Sequence, residues 1–304
     1  MNKIAFIFPG QGSQYVGMGK DFCDNFNESR QVFNEASDLL GIDMKNLVFE
    51  NEDKINLTEY TQIAMVTTCI SMLRAVERLG IEVHATAGLS LGEYPALIKS
   101  KVITFEDGLK VVRERGLLME NALPKKTTTM AAVMGLDANE ILGVCSEVDG
   151  LVTIANYNCP GQIVITGEID AIEKASGKLK KAGARRIIPL KVSGAFHSPL
   201  LKEAGEKLYD LLKDINIESP AIPYVSNVNG RFIFDNSNIR ELLSQQVYSP
   251  VKWQQSIENM IESGIDTFVE IGPGKTLSKF ISKIDSSSKT INIDKVKDLV
   301  KLNL

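Results

Sequence analysis

The sequence predicts an α/β fold built in two parts, because short apolar runs of strand length alternate with longer amphipathic segments of helix length. The chain has 304 residues, of which 44% are hydrophobic. Such a chain buries enough surface for a sizeable core and is long enough for two structural units. In the middle of the chain the order of the elements changes, which indicates that one unit is inserted into the other.

The first part of the chain predicts a strand, a glycine-rich turn and a series of helices. The elements expected here are a strand at residues 4–8, a helix at 58–79, a strand at 85–88 and helices at 91–99 and 108–123. Gly10 and Gly12 lie in the turn after the first strand. Pro124 stops the last helix, because proline cannot continue the hydrogen-bond pattern of a helix.

The middle of the chain has a different order of elements. The elements expected here are strands at residues 130–134, 152–155, 163–166 and 187–192 and helices at 138–148 and 171–181. The order strand, helix, strand, strand, helix, strand is typical of the ferredoxin-like fold. We therefore predict a ferredoxin-like small subdomain at residues 124–193, inserted into a larger subdomain formed by residues 1–123 and 194–304.

After the insertion, the larger subdomain resumes its alternation of helices and strands. The elements expected here are helices at residues 198–212, 251–263 and 276–283 and strands at 224–228 and 267–271, before a late strand and a frayed end after Asp285. No internal repeat interrupts this order.

The composition excludes several classes of protein. Lys+Arg number 34 and Asp+Glu 38, so the net charge of −4 gives no overall field that would attract nucleic acid or an anionic membrane. The apolar run at the N-terminus is too short for a secretory signal, and polar residues interrupt the longest uncharged stretch, residues 151–167. The four cysteines lack CxxC spacing, which favours reduced thiols over disulfides or a metal site. We expect a soluble cytoplasmic enzyme without a bound metal.

The most informative motif is the pentapeptide Gly88-Leu89-Ser90-Leu91-Gly92, which has the pattern G-x-S-x-G. In α/β-hydrolases this pattern forms a tight turn between a strand and a helix, and small residues are needed on both sides of the serine. The turn exposes the serine hydroxyl beside backbone N–H groups that can stabilise a developing oxyanion. We therefore interpret Ser90 as a nucleophile in an α/β-hydrolase-like larger subdomain, with a purely structural turn as the alternative.

A serine nucleophile needs a base, and the chain has only two histidines, His84 and His197. His84 comes before Ser90 on the entering strand and would be roughly 20 Å from it at the rise of an extended chain. His197 follows a glycine-containing loop and precedes a predicted helix. We assign His197 as the base by elimination, with a structural histidine as the alternative. The sequence marks out no acid that would complete a triad.

The helix predicted at residues 108–123 has an arginine on its apolar side. Arg115 lies on the same stripe as Val111, Leu118 and Ala122. An arginine on a core-facing stripe is costly unless an anionic group meets it, and its planar guanidinium suits a carboxylate. The stripe predicts an acyl substrate whose free carboxylate is held beside the nucleophile. A buried ion pair with an internal Asp or Glu is the alternative.

Six short motifs, spread over nearly the whole chain, resemble those of one family of enzymes. They are Phe8-Pro9-Gly10-Gln11-Gly12-Ser13-Gln14, Gly88-Leu89-Ser90-Leu91-Gly92-Glu93, Arg115-Gly116 with Met119, Gly194-Ala195-Phe196-His197-Ser198, Gln246-Val247-Tyr248-Ser249-Pro250-Val251 and Glu270-Ile271-Gly272-Pro273-Gly274. The family is that of the malonyl-CoA:acyl carrier protein transacylases of bacterial fatty acid synthesis. The resemblance implies a ping-pong transfer of a malonyl group from malonyl-CoA, the substrate, to the phosphopantetheine thiol of holo acyl carrier protein. It implies no further cofactor.

The resemblance also implies roles for individual residues. By this resemblance, Ser90 would be the nucleophile, His197 would be the general base and Arg115 would bind the malonyl carboxylate. The backbone N–H groups of Gln11 and Leu91 would form the oxyanion hole.

Three further positions follow from the same comparison of motifs. The backbone carbonyl of Gln246 would orient the histidine, so that a dyad replaces the triad. Phe196 resembles the malonyl-selective form of its loop, since methylmalonyl-selective relatives usually have a smaller residue there. Leu89 stands where the family usually has His, so any polar contact made from that position is absent here.

Acyl carrier proteins are acidic, so the resemblance implies a basic docking surface on this acidic chain. Residues 178–191 contain six basic residues and no acidic ones. A solvated helix end that complements the helix dipole explains these charges equally well. The family is usually monomeric, and we expect a monomer.

Three other functions compete with this interpretation. A serine esterase or thioesterase would use the same turn, with water as the acceptor, an acid partner for His197 and no use for Arg115. A polyketide acyltransferase would perform the same chemistry on another carrier protein. A non-catalytic carrier-protein scaffold would keep the fold alone, although the intact Ser90, His197 and Arg115 argue against it. The glycine-rich segments at Gly10 and Gly274 each lack a required glycine, so neither predicts a nucleotide site.

Overall fold

The computed structural model describes residues 3–192 and 194–302, and within these ranges the chain forms ten strands and thirteen α-helices. The strands are β1 (Ile4–Phe8), β2 (Ala85–Gly88), β3 (Thr128–Met134), β4 (Val152–Cys159), β5 (Gln162–Glu168), β6 (Arg186–Pro189), β7 (Tyr224–Val225), β8 (Phe232–Ile233), β9 (Thr267–Ile271) and β10 (Lys289–Ile293). The helices are α1 (Lys20–Asn25), α2 (Asn27–Leu40), α3 (Met44–Phe49), α4 (Glu52–Ile55), α5 (Thr58–Glu77), α6 (Glu93–Lys99), α7 (Phe105–Asn121), α8 (Ala138–Ser146), α9 (Ile169–Lys181), α10 (Lys202–Leu212), α11 (Ile239–Tyr248), α12 (Trp253–Glu262) and α13 (Thr276–Ile284). Ser193, the predicted end of the inserted subdomain, lies outside the described residues, as do the last two residues of the predicted frayed end.

The strands form two sheets, which gives the mixed α/β architecture that the sequence predicts. The larger sheet has the order β10-β9-β1-β2-β7-β8, and all its neighbours are parallel except β7 and β8. Every residue of β1 is buried, as expected for a central strand covered on both faces. The smaller sheet has the order β4-β5-β3-β6 and is antiparallel throughout.

The carboxyl ends of three neighbouring parallel strands meet at one edge of the larger sheet. Phe8 at the end of β1 lies opposite Gly88 at the end of β2, and Ile7 lies opposite Glu270 near the end of β9. The loops that follow these strands therefore lie side by side. This is the edge at which α/β sheets bind ligands.

The smaller sheet is tied to the rest of the chain through β4. The backbone N–H of Tyr157 donates to the carbonyl of Val251 at 2.9 Å, and the N–H of Val251 donates to the carbonyl of Ala155 at 2.8 Å. Val251 lies just before α12, so these bonds fix the smaller sheet beside the segment that enters this helix.

The structure differs from the sequence-based elements in several places. Residues 20–55 form four helices, and α11 follows β8, although the apolar pattern predicts none of them. Three of these five helices have six residues or fewer, which is too short to show a helical period. Residues 294–302 are not frayed, because they lead into a 3-10 helix, Val296–Leu302, and the Asp298 side chain accepts the backbone N–H groups of Asp294 and Lys295 just before it. Among the described residues, no helix is both long enough and apolar enough to cross a membrane.

Candidate active site

The turn after β2 places Ser90 at the carboxyl edge of the larger sheet. Ser90 has a φ of 53°, the left-handed region that a non-glycine residue seldom adopts. A side chain at Gly88 would overlap the backbone of Gly92, and one at Gly92 would overlap the carbonyl of Phe8. The two glycines are therefore required by close approach of backbone to backbone. The predicted helix at 91–99 begins as a 3-10 helix at Ser90–Gly92 and becomes α6 only at Glu93.

Asn227, which the sequence analysis does not identify, fastens this turn from the loop after β7. Its Oδ1 accepts the backbone N–H of Ser90 at 2.6 Å, and its Nδ2 donates to the carbonyl of Gly88 at 2.7 Å. One amide thus bonds both sides of the strained turn. The sequence predicts a strand at residues 224–228 that includes Asn227, but β7 ends at Val225, so Asn227 lies in a loop and its contacts have no signal in the sequence.

His197 lies against Ser90, while His84 does not belong to the site. The Nε2 atom of His197 is 2.7 Å from the Ser90 Oγ, and its Nδ1 is 2.7 Å from the carbonyl of Gln246. Because a carbonyl only accepts, Nδ1 carries the proton and Nε2 is free to accept from the serine hydroxyl. His84 instead accepts the backbone N–H of Ile4 at the beginning of β1.

The environment of His197 keeps the imidazole neutral. The side chain is 4% exposed, and burial together with the positive charge of Arg115 lowers its pKa to about 4. The carbonyls of Gln246 and Ser249 oppose this shift without reversing it. At neutral pH the residue is therefore in the form that a general base requires.

Arg115 on α7 is 1% exposed and reaches the same serine from another direction. Its Nη2 donates to the Ser90 Oγ at 3.3 Å and to the Gln246 Oε1 at 3.0 Å, and its Nη1 donates to the Gln62 Oε1 at 2.8 Å. These partners are neutral oxygens. Among the described residues, no Asp or Glu forms an ion pair with this guanidinium. The alternative prediction of a buried ion pair is therefore wrong.

Gln246 and Glu93 form a second layer behind the three groups. The Gln246 Nε2 donates to the carbonyl of Ser90 at 3.1 Å and to the Glu93 Oε2 at 2.5 Å. Glu93 is fully buried, and this burial raises its pKa to about 7. The sequence predicts neither the contacts of the Gln246 side chain nor those of Glu93, because these contacts join segments that are far apart in the chain.

A cavity of about 250 Å³ opens in front of Ser90 between the two sheets. Gln11 and Leu91 line it near the serine, and Phe196 lines it beside the histidine. Leu89 also lines the cavity and packs against buried apolar residues. Six of the seven residues predicted for the site line this cavity, and the seventh, Gln246, contacts three of them from behind.

Two further features concern ligands other than an acyl group. In the described part of the chain, no group of His, Cys, Asp and Glu side chains is arranged to hold a metal ion. The six basic residues at 178–191 are all exposed, and Lys178 forms an ion pair with Glu147 at 3.2 Å. Their role in docking a partner stays a prediction.

The arrangement suits acyl transfer to and from a serine. A hydroxyl lies between an accepting imidazole and a buried guanidinium, so it can be deprotonated on one side while an anionic group is bound on the other. The bound group would reach the serine through the cavity between the sheets.

Comparison with known proteins agrees with this chemistry. Residues 5–297 match the acyl transferase domain family. The malonyl CoA-acyl carrier protein transacylase of Bacillus subtilis is 43% identical over 297 residues, which cover 96% of this chain and 94% of that protein. The enzyme of the same name from Staphylococcus aureus strain MSSA476 is 40% identical over 98% of both chains.

Solved structures give the same relationship. The malonyl CoA-acyl carrier protein transacylase of Clostridium perfringens superposes with a TM-score of 0.94 at 47% identity, covering 99% of this chain and 96% of that one. A malonyl transacylase in complex with its holo type II polyketide acyl carrier protein superposes with a TM-score of 0.96 at 37% identity, covering 98% of each chain. The chain therefore belongs to the family of malonyl-CoA:acyl carrier protein transacylases, which are acyltransferases.

Proposed function

We propose that this chain transfers a malonyl group from malonyl-CoA to the phosphopantetheine thiol of holo acyl carrier protein through a malonyl ester on Ser90. The observation that carries the proposal is the position of the Ser90 Oγ, 2.7 Å from the His197 Nε2 and 3.3 Å from the Arg115 Nη2. The first contact serves nucleophilic attack and the second serves recognition of a carboxylate.

In the first half-reaction, the Ser90 Oγ attacks the thioester carbonyl of malonyl-CoA while its proton passes to the His197 Nε2. The carbonyl oxygen becomes an oxyanion, which accepts hydrogen bonds from the backbone N–H groups of Gln11 and Leu91. When the intermediate collapses, the carbon–sulfur bond breaks and the coenzyme A sulfur takes the proton from His197. The products are malonyl-Ser90 and free coenzyme A.

The second half-reaction repeats these steps in reverse order. The thiol of holo acyl carrier protein gives its proton to the His197 Nε2 as the sulfur attacks the ester carbonyl. Collapse of the second oxyanion breaks the ester bond, and the Ser90 Oγ regains the proton. Arg115 holds the malonyl carboxylate through both halves, and no cofactor besides the two substrates takes part.

The competing esterase function predicts an acid partner for His197. The His197 Nδ1 instead lies 2.7 Å from the backbone carbonyl of Gln246, and Arg115 lies beside the serine, where an esterase has no use for it. Both features support transfer of an acid-bearing acyl group.

The relatives' names support an acyl carrier protein as acceptor, and the solved complex with a polyketide carrier protein supports acyl carrier protein docking in general. We propose the fatty acid carrier as the natural partner of a monomeric, cytoplasmic enzyme. We also propose that the smaller sheet is a ferredoxin-like subdomain inserted into an α/β-hydrolase-like one, and that Phe196 favours malonyl over methylmalonyl groups.

The test is labelling with radioactive malonyl-CoA, with and without holo acyl carrier protein. We expect label on the wild-type protein, its passage to the carrier, and no label on Ser90→Ala. Ser146→Ala, at an exposed serine on α8, is the matched control and should label like the wild type. Release of free malonate with an unlabelled carrier would instead identify a hydrolase.

A further inference from the structure

Glu93 is a fully buried acid next to the reacting groups that the proposed reaction does not use. Its Oε2 accepts from the Gln246 Nε2 at 2.5 Å and from the backbone N–H of Asn227 at 3.3 Å. Its Oε1 is buried and has no hydrogen-bond partner among the described residues. A buried carboxyl is costly to keep, so its contacts indicate what it does.

The contact with Glu93 is the shortest of three hydrogen bonds that fix which way the side-chain amide of Gln246 points. The Gln246 Nε2 faces two acceptors, the Glu93 Oε2 and the carbonyl of Ser90, while its Oε1 faces the Arg115 Nη2. Turning the amide over would bring its nitrogen against the guanidinium and its oxygen against the Glu93 carboxylate. Both new contacts would be repulsive, because donor would meet donor and acceptor would meet acceptor.

The direction of this amide matters because Arg115 depends on it. The guanidinium is held by the side-chain oxygens of Gln62 and Gln246. The two amide oxygens accept from different nitrogens of Arg115, Nη1 and Nη2, and together they fix the plane of the guanidinium. A planar group recognises a carboxylate only when that plane is correctly turned.

We propose that Glu93 is a positioning residue, which holds the side-chain amide of Gln246 in this direction and thereby holds Arg115 in the orientation that receives the substrate's carboxylate. The inference rests on the proposed function and adds to it the residue that tunes acyl selectivity. The contact needs an accepting oxygen and not a charge. Protonation of the carboxyl on Oε1, which has no partner, therefore leaves the contact in place.

The first test compares Glu93→Met with Glu93→Gln. Methionine keeps the length of the side chain but removes the acceptor, so we expect the KM for malonyl-CoA to rise about tenfold, the cost of an unmade buried hydrogen bond, with kcat changed little. The preference for malonyl-CoA over acetyl-CoA should fall by the same factor. Glu93→Gln keeps an oxygen in the position of Oε2 and should recover most of both losses.

The matched control is Glu77→Met on α5. Glu77 is a half-buried glutamate with its own partners, Lys99 at 2.8 Å and Arg74 at 3.0 Å, outside the cavity. Its loss should lower stability without changing the KM or the preference for malonyl-CoA. If Glu93→Met does not fold, Glu93→Asp, which withdraws the carboxyl by one methylene, makes the same test.

A double-mutant cycle shows whether Glu93 acts through Gln246. Gln246→Met keeps the backbone carbonyl that contacts His197 and removes only the amide. On that background, adding Glu93→Met should change the malonyl-CoA KM less than about twofold, because residues of one network are not additive. Additive losses, or an unchanged selectivity in Glu93→Met, would overturn the inference. Failure of the wild type to become malonylated on Ser90 would overturn the proposed function instead, so the two failures are distinguishable.

Discussion

The two sides of Ser90 are built differently. On the histidine side, His197 donates a hydrogen bond to a backbone carbonyl, and its own backbone is left-handed with a φ of 58°. On the arginine side, Arg115 is held by the side-chain amides of Gln62 and Gln246. Gln246 thus serves both sides, with its backbone on one and its side chain on the other.

Under the proposed function, this difference separates the reaction from the selection of the acyl group. A contact with a backbone carbonyl survives substitution of the residue that supplies it, so the histidine side changes only if the fold changes. A contact with a side-chain amide can be altered by one substitution. The structure therefore predicts that the reaction is fixed by the fold, whereas the choice of acyl group is adjustable.

The largest effect is expected from removing the base. His197→Ala should lower the rate of acylation about a thousandfold or more for malonyl-CoA and acetyl-CoA alike, because the proton of the serine then has no acceptor. His84→Ala supplies the control with the chain's other histidine and should retain activity. The measurement is the rate of Ser90 labelling under single-turnover conditions. A loss confined to malonyl-CoA would contradict the separation of the two sides.

Strain in the turn gives the next largest effect, on stability. Gly92→Ala brings a side chain onto the carbonyl of Phe8 and should lower the free energy of unfolding by about 3 kcal/mol. Gly143→Ala on α8 meets nothing within 4 Å, and should raise it by about 0.5–1 kcal/mol. Urea midpoints at constant m-value measure both. Equal effects from the two substitutions would show that the turn is not tightly packed.

Much of the backbone-held side could be predicted from the sequence. The strands β1, β2 and β9 have the predicted bounds, because each is a short and mostly apolar run with glycine or proline at its end or soon after it. The glycines of the G-x-S-x-G motif specify the turn by sterics alone. His197 follows by elimination, since the chain has only one other histidine.

The side-chain-held layer could be predicted only in part. Arg115 stands out because a charged residue on an apolar stripe violates the pattern of its own helix. Gln62, Glu93 and Asn227 carry no such local signal, because polar residues are ordinary in helices and loops. Their importance arises from contacts between residues far apart in the chain, such as Glu93 with Gln246, and these exist only in the folded protein.

On the arginine side, Arg115→Lys should reduce kcat/KM for malonyl-CoA about a hundredfold, because a lysine ammonium cannot bond both amides and a carboxylate in one plane. Transfer from acetyl-CoA, which has no free carboxylate, should change little. Arg113→Lys is the control on the same helix, where Arg113 pairs with Glu59 at 3.1 Å. Equal losses for the two acyl groups would show that Arg115 serves the chemistry as well as the selectivity.

The smallest effect concerns the electrostatic effect of Arg115 on the pKa of His197. Burial, aided by the charge of Arg115, lowers the pKa of His197 to about 4, and the proposed mechanism requires the neutral imidazole. Acylation by acetyl-CoA should therefore be independent of pH down to about pH 5 and fall as the pH drops through the pKa. Protonation of Glu93, whose pKa burial raises to about 7, leaves an accepting oxygen, so we expect no break there.

Arg115→Gln tests that effect because it removes the charge and keeps a polar side chain at this position of α7. The pKa of His197 should then rise toward its ordinary value, and the acidic limb of the acetylation profile should move to higher pH. Arg113→Gln should leave the limb in place. A limb that does not move would mean that burial alone keeps the base neutral. An acidic limb that moves to higher pH would mean that Arg115 helps to keep His197 neutral, as well as binding the substrate's carboxylate in the proposed function. A substitution that removes this charge would then change the pH dependence of acylation together with the selectivity for the acyl group.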